Sequence, residues 1–377
     1  MPEATVVIVG AGASGLSAAG ALKRRGIDAV VLEQDQRLGD TWARRYDRLR
    51  LHTVRGLSGL AHYPIPPRYS RYPSRQEFAA YLAEYARHFG LRIETACPVG
   101  KIRMDATTPS AWTAATPQGD WHARAVVVAT GQYRVPILPA WPGRESYRGD
   151  LKHSAHYTTG SAYAGKRVLV VGLGNSGAEI ATDLIEQGAA HVALSVRTPA
   201  PIVSRDPLGI PVQRVSILMS FLPAAFADRV ARLASRLVLG DLSRHGLPEP
   251  EWMPYSARRV PVIDVGFVSV LKRGLVHIRP AVTGLTPGGV VFGDGNIGAF
   301  DAIIAATGFH TGLDALLETP GVLNAAHEPI HVSGEPTAQP GLYFLGYGHS
   351  LRGHLFEANL ASCKLARNIG RHLAQTT

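Results

Sequence analysis

The chain has 377 residues, which is enough for two domains with substantial cores. Its formal net charge of +10 is of the size found in proteins that bind nucleic acid or membranes. However, only six of the 39 basic residues are lysines, and the arginines are scattered, which argues against a nucleic-acid-binding face. The two cysteines, Cys97 and Cys363, lack the spacing of a zinc site or a redox dithiol. We therefore expect no metal site, no structural disulfide and a reducing, cytoplasmic environment.

The first stretch of the chain predicts a strand, a tight turn and a helix. Thr5 to Val9 are apolar without alternation, as in a parallel strand buried on both faces, and Leu16 to Leu22 have helical composition. The stretch is uncharged, but the turn in its middle and the lack of a basic segment before it argue against a signal peptide or a membrane span. We expect no integral association with a membrane.

The turn has the glycine spacing of a dinucleotide-binding loop, with Gly10, Gly12 and Gly15. Gly10 makes the tight turn, Gly12 lets the backbone approach a pyrophosphate, and Gly15 lets helix and strand pack closely. The pyrophosphate then lies at the free N–H groups of the helix N-terminus. Ala13 and Ser14 belong to the same turn and are further candidate cofactor-binding residues.

An acidic residue follows where a ribose ligand is expected. The second apolar strand, Ala29 to Leu32, ends at Glu33, about twenty residues after the turn, where a carboxylate can accept from ribose hydroxyls. Four more candidate cofactor-binding residues follow in this region: Gly39, Thr41, Trp42 and Thr53.

Two more elements are predicted before the middle of the chain. Ser74 to Glu77 is a capping box, which predicts a helix from Arg75 to His88 with an apolar aromatic face. Ala125 to Ala129 predicts a buried strand that ends at Thr130 and Gly131, where a glycine lets the backbone pass close to a bound ring system.

The pattern of a buried strand, a glycine turn and a helix then recurs in the middle of the chain. Arg167 to Val171 predicts an apolar strand, a helix follows through Leu184, and Val192 to Val196 predicts the next strand. The turn between the first of these strands and the helix adds five candidate cofactor-binding residues: Gly172, Gly174, Asn175, Ser176 and Gly177.

Arg197 and Thr198 take the position of the ribose acid in this second pattern. A guanidinium suits a 2′-phosphate, which an acid would repel, so this site is expected to prefer NADPH to NADH. FAD plus NADPH explains why one chain has two dinucleotide sites, because one cofactor then hands a hydride to the other.

The segment from Tyr147 to Tyr157 resembles the fingerprint of flavin-containing monooxygenases: an aromatic residue, a glycine, a histidine (here His153) and a final aromatic residue. The resemblance covers nearly the whole chain and is closest to the YUCCA-like branch. Six further segments carry it: Tyr46 to Thr53, Tyr72 to Ser74, Gly172 to Gly177, Arg259 to Gly266, Asp301 to Phe309 and Gly341 to Gly346.

The resemblance implies an α/β fold of two Rossmann-like dinucleotide-binding domains, with the NADPH domain inserted into the FAD domain. Residues 1–157 and 301–377 would form the FAD-binding domain, and residues 158–300 the NADPH-binding domain. His153 and Tyr157 are then candidate cofactor-binding residues. Thr307 and Gly308 are also candidate cofactor-binding residues, because residues 306–308 match residues 129–131 and would form the return crossing between the two domains.

The resemblance also implies the reaction. In this family NADPH reduces the flavin, and oxygen forms a flavin peroxide that oxygenates a small molecule. The protonated peroxide oxygenates sulfur or nitrogen, whereas the deprotonated peroxide attacks a carbonyl. The YUCCA-like branch implies oxidative decarboxylation of an aryl 2-oxo acid. Scattered arginines, including Arg50 and Arg352, could hold its carboxylate, and the sequence does not choose among them. The alternative is a sulfide or amine oxygenase of broad scope.

Many heteroatom-oxygenating relatives have an asparagine in the segment that corresponds to Leu51 to Val54, and this chain has none there. His52 is instead the candidate catalytic residue, through a hydrogen bond near the flavin, and a structural histidine is the alternative.

Gln213 to Gly240 is open to three interpretations. Apolar residues at helical spacing are interrupted by Pro223, and a second helix with an arginine-rich face is expected after Asp228. The segment is a basic amphipathic helix on a membrane surface, a lid of the substrate cavity, or a helical excursion packed on the protein.

The expected partners are a small-molecule substrate and molecular oxygen, and the sequence predicts no oligomeric state. A non-catalytic flavin-binding regulatory protein is the alternative from another class. The intact second glycine turn and Arg197 argue against it.

Overall fold

The computed structural model describes residues 3–104 and 111–375. The described chain is a mixed α/β structure that divides into two compact units. The first unit consists of Met1–Arg44, Thr53–Val135 and Phe309–Thr377, and the second unit consists of Arg45–His52 and Pro136–Gly308.

The α-helices of these residues differ widely in length, from one turn to six. In chain order they are α1 (Ala13–Lys23), α2 (Asp40–Ala43), α3 (Arg75–Phe89), α4 (Asn175–Glu186), α5 (Val212–Met219), α6 (Ala224–Leu239), α7 (Pro254–Ala257), α8 (Phe267–Lys272), α9 (Leu313–Leu316) and α10 (His354–Gln375).

The β-strands are mostly short. In chain order they are β1 (Glu3–Val9), β2 (Ala29–Leu32), β3 (Arg92–Glu94), β4 (Lys101–Met104), β5 (Trp112–Ala115), β6 (Trp121–Val128), β7 (Val135–Pro136), β8 (Asp150–His153), β9 (Arg167–Val171), β10 (His191–Ser195), β11 (Ile202–Ser204), β12 (Val262–Asp264), β13 (Val276–Arg279), β14 (Val282–Thr286), β15 (Gly289–Phe292), β16 (Ile297–Ala299), β17 (Ala302–Ala305), β18 (Phe309–His310) and β19 (Leu342–Phe344).

A seven-stranded sheet forms the centre of the first unit, in the order β3-β2-β1-β6-β5-β4, with β19 also paired to β6. The strands β3, β2, β1, β6 and β19 are parallel, and β5 and β4 are antiparallel to their neighbours. α1 packs against α3 and α10. β1 lies inside the sheet, and its residues from Val6 to Val9 are buried on both faces, which explains their unbroken apolar run.

A five-stranded parallel sheet forms the centre of the second unit, in the order β13-β10-β9-β17-β8. α4 packs against β9, β10, β12 and α8. A parallel pair, β11 and β12, and an antiparallel sheet of β14, β15 and β16 complete the sheets described for this unit.

In each central sheet, the register aligns the carboxyl ends of neighbouring parallel strands, so the loops after them begin at the same edge of the sheet. In the first unit Val9 lies opposite Leu32 and Val128, the last residues of β2 and β6. In the second unit Val171 lies opposite Ser195 and Ala305, the last residues of β10 and β17. The loops that follow these strands therefore share an edge, which is where parallel α/β sheets bind ligands.

Several predicted elements are confirmed. The strands Ala29–Leu32 and Arg167–Val171 have the predicted bounds, and the helix predicted from Arg75 to His88 is α3, which ends at Phe89. Its capping box is also confirmed. The Glu77 N–H donates to the Ser74 hydroxyl at 3.2 Å, and the Ser74 N–H donates to the Glu77 carboxylate at 2.7 Å.

The helix expected after Asp228 begins earlier, at Ala224, directly after Pro223. The Asp228 carboxylate accepts from the N–H groups of Tyr255 and Ser256 at 2.8 and 2.9 Å, in the first turn of α7. The expected helix start is therefore corrected to Ala224. Asp228 lies within α6, and its carboxylate binds the first turn of α7 instead of starting a helix.

The boundaries of the two units differ from the predicted domain boundaries. β8 and β17 were both expected in the FAD-binding domain, but they pair with each other in the sheet of the second unit, and β17 also pairs with β9. The second unit also includes Arg45–His52. Ala129 lies against the first glycine turn and Ala306 against the second, each within its own unit.

Candidate functional site

The first glycine turn joins β1 to α1 and has no room for a side chain at two of its glycines. A Cβ on Gly15 would lie 1.9 Å from the carbonyl oxygen of Gly10, and a Cβ on Gly10 would lie 2.8 Å from the carbonyl oxygen of Ala129. Gly10 also has a φ of +102°, which favours glycine. At Gly12, by contrast, a Cβ would meet no described atom within 4 Å. The helix packs tightly on the strand, and the turn keeps an open space beside Gly12.

The open space lies at the start of α1. Gly12 is the N-cap residue of this helix, and no side chain among the described residues caps it. Ala13 and Ser14, the first helical residues, are partly exposed. The first N–H groups of a helix have no partner within the helix, and together with the helix dipole they attract anions. A pyrophosphate therefore fits this turn.

Glu33 lies beside the turn at the end of β2. Its carboxylate accepts hydrogen bonds from the N–H groups of Ala11 at 2.6 Å and Asp35 at 2.9 Å. A carboxylate has about four acceptor positions, so it retains capacity for ribose hydroxyls. The structure thus brings the predicted ribose ligand to the predicted turn.

Thr130 and Gly131 leave β6 at the same sheet edge. The hydroxyls of Thr130 and Tyr347 lie 2.8 Å apart and share a hydrogen bond, and Gly131 has a φ of +83°. Thr53, elsewhere in the first unit, accepts from the hydroxyl of Ser58 at 2.8 Å. Thr130 and Thr53 therefore both have protein partners.

Three other candidate residues lie around α2. Gly39 has a φ of +82° and is packed so closely on α3 that a Cβ would lie 2.9 Å from its backbone. The Thr41 hydroxyl donates to Asp35 at 3.1 Å, and Trp42 packs edge-on against Phe78 with ring centroids 4.7 Å apart. These contacts attach the loop that follows Glu33 to α3.

The second glycine turn repeats this geometry in the second unit. A Cβ on Gly177 would lie 2.0 Å from the carbonyl oxygen of Gly172, and a Cβ on Gly172 would lie 2.6 Å from the carbonyl oxygen of Ala306. Gly174 is the N-cap residue of α4, where no described side chain caps the helix and a Cβ would meet no described atom within 4 Å. A second pyrophosphate fits here for the same reasons.

The side chains of Asn175 and Ser176 make protein contacts. Asn175 donates to the Pro261 carbonyl at 3.4 Å and accepts from the Ile263 N–H at 2.7 Å, which fastens the turn to β12. Ser176 hydrogen-bonds to Tyr46. The backbone N–H groups of both residues, rather than their side chains, are the groups suited to a phosphate.

Arg197 and Thr198 follow β10 at the edge that contains the second turn. Arg197 is exposed, and its side chain forms no hydrogen bond or ion pair with any residue that the structure describes. At the same edge the Thr307 hydroxyl donates to the carbonyl of Ile137, and Gly308 has a φ of +88°. An exposed guanidinium beside an anion-binding turn can bind a further phosphate.

His52 belongs to a buried cluster in the second unit. Its Nε2 lies 2.6 Å from the Glu179 carboxylate, which is only 2% exposed on α4. Tyr46 also hydrogen-bonds to Glu179, and burial together with this carboxylate raises the pKa of Tyr46 well above its ordinary value. His52 thus contacts the helix that follows the second glycine turn, and its catalytic role near the flavin stays a prediction.

His153 is buried and contacts residues 306–308, which form the crossing segment of the second unit. Its Nδ1 accepts from the Ala155 N–H at 3.1 Å, and its Nε2 lies 3.0 Å from the Gly308 carbonyl oxygen. These partners fit the neutral ring that donates through Nε2. Burial lowers the pKa of His153, which favours this neutral form.

Tyr157 is 1% exposed and lies in the core of the second unit. Its hydroxyl donates to the Asp183 carboxylate at 2.6 Å, and its ring packs against Tyr46 and Tyr163. Burial, reinforced by Asp183, raises its pKa far above the ordinary value. Tyr157 therefore contacts α4 and His153 contacts the Gly308 carbonyl, and their assignment as cofactor-binding residues stays a prediction.

Glu179 and Asp183 were not singled out from the sequence. They lie four residues apart on α4, so they share one helix face, and both are buried with hydroxyl or ring-nitrogen partners. The sequence did contain a signal for this cluster. Two acids on the apolar face of a predicted helix indicate buried polar contacts, because buried carboxylates require partners.

Within residues 3–104 and 111–375, no helix has the length and hydropathy needed to cross a bilayer. In the same ranges, no group of three or more His, Cys, Asp or Glu side chains is arranged to hold a metal ion.

Comparison with known proteins gives the family. The pyridine nucleotide-disulphide oxidoreductase family matches residues 7–207. The chain is 37% identical to indole-3-pyruvate monooxygenase YUCCA1 of Oryza sativa subsp. japonica, over 90% of this chain and 86% of that protein. It is 35% identical to indole-3-pyruvate monooxygenase YUCCA8 of Oryza sativa subsp. indica, over 96% of this chain and 90% of that protein. This chain belongs to the flavin-containing monooxygenase family.

Solved structures agree with this assignment. A variant of a flavin monooxygenase from Stenotrophomonas maltophilia superposes with a TM-score of 0.79 at 26% identity, covering 99% of this chain and 100% of that one. A cyclohexanone monooxygenase bound to ε-caprolactone has a TM-score of 0.77 at 20% identity, with 100% and 89% coverage, and shows similarity of fold alone.

The protein is therefore a flavin-dependent monooxygenase, an oxidoreductase whose cofactors are FAD and NADPH and whose substrates are a small molecule and oxygen. This sets aside the alternative of a non-catalytic regulatory protein. Although the matched family is named for disulphide chemistry, the two cysteines of this monooxygenase, Cys97 and Cys363, form no disulfide.

The contacts of Tyr157 lead to a prediction. We expect Tyr157→Phe to lower the free energy of unfolding by about 1.5–3 kcal/mol, because the change removes a hydrogen bond to a buried carboxylate. Urea denaturation measures this loss, and titrations should show unchanged affinity for NADPH. Tyr163→Phe is the matched control, since the Asp150 partner of Tyr163 is exposed. Weaker NADPH binding with unchanged stability would instead support Tyr157 as a cofactor-binding residue.

Proposed function

We propose that the first unit binds FAD and the second unit binds NADPH, as two Rossmann-like dinucleotide-binding domains of which the second is inserted into the first. The support is one geometry repeated in both units: a buried strand, a tight glycine turn, an uncapped helix start and a crossing segment. The two turns differ at the ribose position, where Glu33 follows one and Arg197 follows the other.

In the first unit, the α1 N–H groups beside Gly12 would hold the FAD pyrophosphate, and Glu33 would hold a ribose. The other candidates in this unit are Gly39, Thr41, Trp42, Thr53, Thr130 and Gly131. In the second unit, the α4 N–H groups beside Gly174 would hold the NADPH pyrophosphate. The Arg197 guanidinium would pair with the 2′-phosphate, with Thr198, Thr307 and Gly308 at the same sheet edge.

When bound, FAD supplies the oxygen-activating chemistry and NADPH supplies the hydride that reduces it. The residues of this chain bind, orient and exclude water. We assign His52 a positioning role, since its hydrogen bond to Glu179 fixes α4 against the segment Arg45–His52. His153, neutral and buried, holds the Gly308 carbonyl.

The proposed reaction is the oxidative decarboxylation of an aryl 2-oxo acid to an acid shortened by one carbon. The observation that carries it is the 35–37% identity, over 90% or more of this chain, to relatives named for action on indole-3-pyruvate. The lack of an asparagine in Leu51 to Val54 is in keeping with it. Of the two arginines considered for the carboxylate, Arg352 donates to Glu357 at 2.6 Å, and Arg50 is exposed.

Gly12→Val and Gly174→Val test the two cofactor assignments separately. An added Cβ meets no described atom at either position, and both φ values are negative, so each valine should be tolerated by the fold. We expect Gly12→Val to be purified without flavin, because the side chain occupies the approach of the pyrophosphate. Gly174→Val should retain FAD and lose flavin reduction by NADPH, while dithionite still reduces the flavin.

Gly56→Val is the matched control, because Gly56 is exposed and its added Cβ also meets no described atom within 4 Å. Circular dichroism checks the fold of all three variants, and chromatography of the released flavin distinguishes FAD from FMN. Flavin retained by Gly12→Val, or release of FMN from the unsubstituted protein, would contradict the first assignment. Undiminished reduction of Gly174→Val by NADPH would contradict the second.

Arg197→Ala tests the choice of nucleotide. If the guanidinium pairs with the 2′-phosphate, the change should cost NADPH binding about 1.5–3 kcal/mol, the range for hydrogen bonds to charged groups. That is about one to two orders of magnitude in affinity, with little change for NADH. Stopped-flow reduction of the flavin at varied nucleotide concentration gives both affinities. Arg148→Ala, at another exposed arginine of the second unit, is the control. Equal losses for both nucleotides would make Arg197 structural.

Labelled oxygen tests the reaction. The holoenzyme is supplied with NADPH and, in separate experiments, with indole-3-pyruvate, phenylpyruvate or an aryl thioether. We expect label in the shortened acid and release of carbon dioxide from the keto acids, because attack on the keto carbon gives an adduct that loses its carboxylate. Mass spectrometry locates the label, and a peroxide assay measures uncoupled turnover.

A different outcome would favour the sulfide or amine oxygenase. In that case the thioether would give labelled sulfoxide with tight coupling to NADPH consumption, while both keto acids would only raise hydrogen peroxide. The cofactor assignments would be unaffected by this result.

A further inference from the structure

The segment from 208 to 237 of the second unit has a concentration of exposed apolar side chains. Its largest members are Leu208, Leu218, Phe221, Phe226, Leu233 and Leu237, and the exposed fractions of Leu208, Phe221 and Leu237 are 93%, 77% and 77%. Scattered exposed leucines need no explanation, but a concentration of exposed apolar side chains in one segment points to an interaction site. We call this surface the 208–237 face.

The orientation of α6 shows that this exposure belongs to the fold. The helix is attached by Asp228, which caps α7, and by the Ser235 hydroxyl, which donates to the Ile202 carbonyl at 2.8 Å. At 3.6 residues per turn, Phe226, Leu233 and Leu237 lie on one stripe, roughly 180° from Asp228 and Ser235. The apolar stripe therefore points away from the packed side of the helix.

Arginines flank the stripe. Between residues 207 and 240 the sequence has four arginines, Arg214, Arg229, Arg232 and Arg236, and all four are exposed. The single acid of the segment, Asp228, is buried against α7. Arg236 has one partner, Glu249, at 3.3 Å, and both are exposed. The face is therefore apolar and strongly positive.

These charges favour one kind of occupant. A second copy of the chain would bring the same arginines together across a symmetric interface, since a two-fold contact uses the same patch twice. A surface of anionic phosphates over an apolar layer instead satisfies both features: arginines pair with phosphates, and leucine and phenylalanine enter the boundary with the acyl chains.

We propose that the 208–237 face binds the surface of an anionic membrane. α6 lies in the plane of the interface, with Phe226, Leu233 and Leu237 below the headgroups and Arg229 and Arg232 at the level of the lipid phosphates. This gives the monooxygenase a peripheral contact with the membrane and leaves both glycine turns outside the contact segment.

Vesicle flotation tests the proposal with the holoenzyme. The probes are vesicles of phosphatidylcholine alone and of phosphatidylcholine mixed equally with phosphatidylglycerol. We expect flotation with the anionic vesicles, weaker binding at high salt, and little binding to phosphatidylcholine. Leu233→Ser with Leu237→Ser, and separately Arg229→Glu with Arg232→Glu, should each weaken binding on the order of tenfold or more.

Two matched controls separate the face from general charge and hydrophobicity. Ile297→Ser removes an apolar side chain that is 68% exposed elsewhere in the second unit, and Arg144→Glu with Arg148→Glu makes the same change in charge at exposed positions. Both controls should float like the unsubstituted protein. Flavin content and NADPH oxidation should be unchanged in every variant.

Three results would overturn the proposal: no flotation with anionic vesicles, equal flotation with neutral vesicles, or flotation unaffected by both double variants. Sedimentation velocity supplies a fourth. If the protein were a dimer that Leu233→Ser with Leu237→Ser converted to a monomer, and vesicles captured none of it, the face would be an interface between copies.

Discussion

In each unit a glycine, Gly15 or Gly177, lies so close to the carbonyl oxygen of the first glycine of its turn that an added Cβ would overlap that oxygen. This contact lets each helix begin directly at the end of a buried strand. The uncapped N–H groups of the helix therefore reach the edge of the sheet where Glu33 or Arg197 follows the neighbouring strand. Because protein interiors are close-packed, a methyl group here would shift the helix end and the phosphate donors together.

The features that the sequence predicted well are those whose interactions are local. The turn from Gly10 to Gly15, the repeat from Gly172 to Gly177 and the capping box of α3 each involve residues within a few positions of one another. Unbroken apolar runs also located β2 and β9 with their observed bounds, because strands buried on both faces of a sheet have no polar face.

The contacts that the sequence did not predict depend on distant partners. Tyr157 donates to an acid 26 residues away, and His153 contacts a carbonyl 155 residues away. A fingerprint shows that these residue types recur, but whether they contact a cofactor or a helix depends on which segments the fold brings beside them. Asp228 is similar: its carboxylate accepts from the Tyr255 N–H of α7, 27 residues later in the chain, rather than capping its own helix.

The path of the chain has a consequence for its synthesis. The second unit has all its strands once Gly308 has been made, whereas the first unit still lacks β19, which pairs with β6, and α10, which packs on α1. Domains fold as units as the chain emerges. The inserted unit can therefore fold first, although the other unit begins earlier in the sequence. Until α10 docks, the apolar surface of α1 that it covers stays open to water, and exposed surface of this kind makes a nascent chain prone to aggregation.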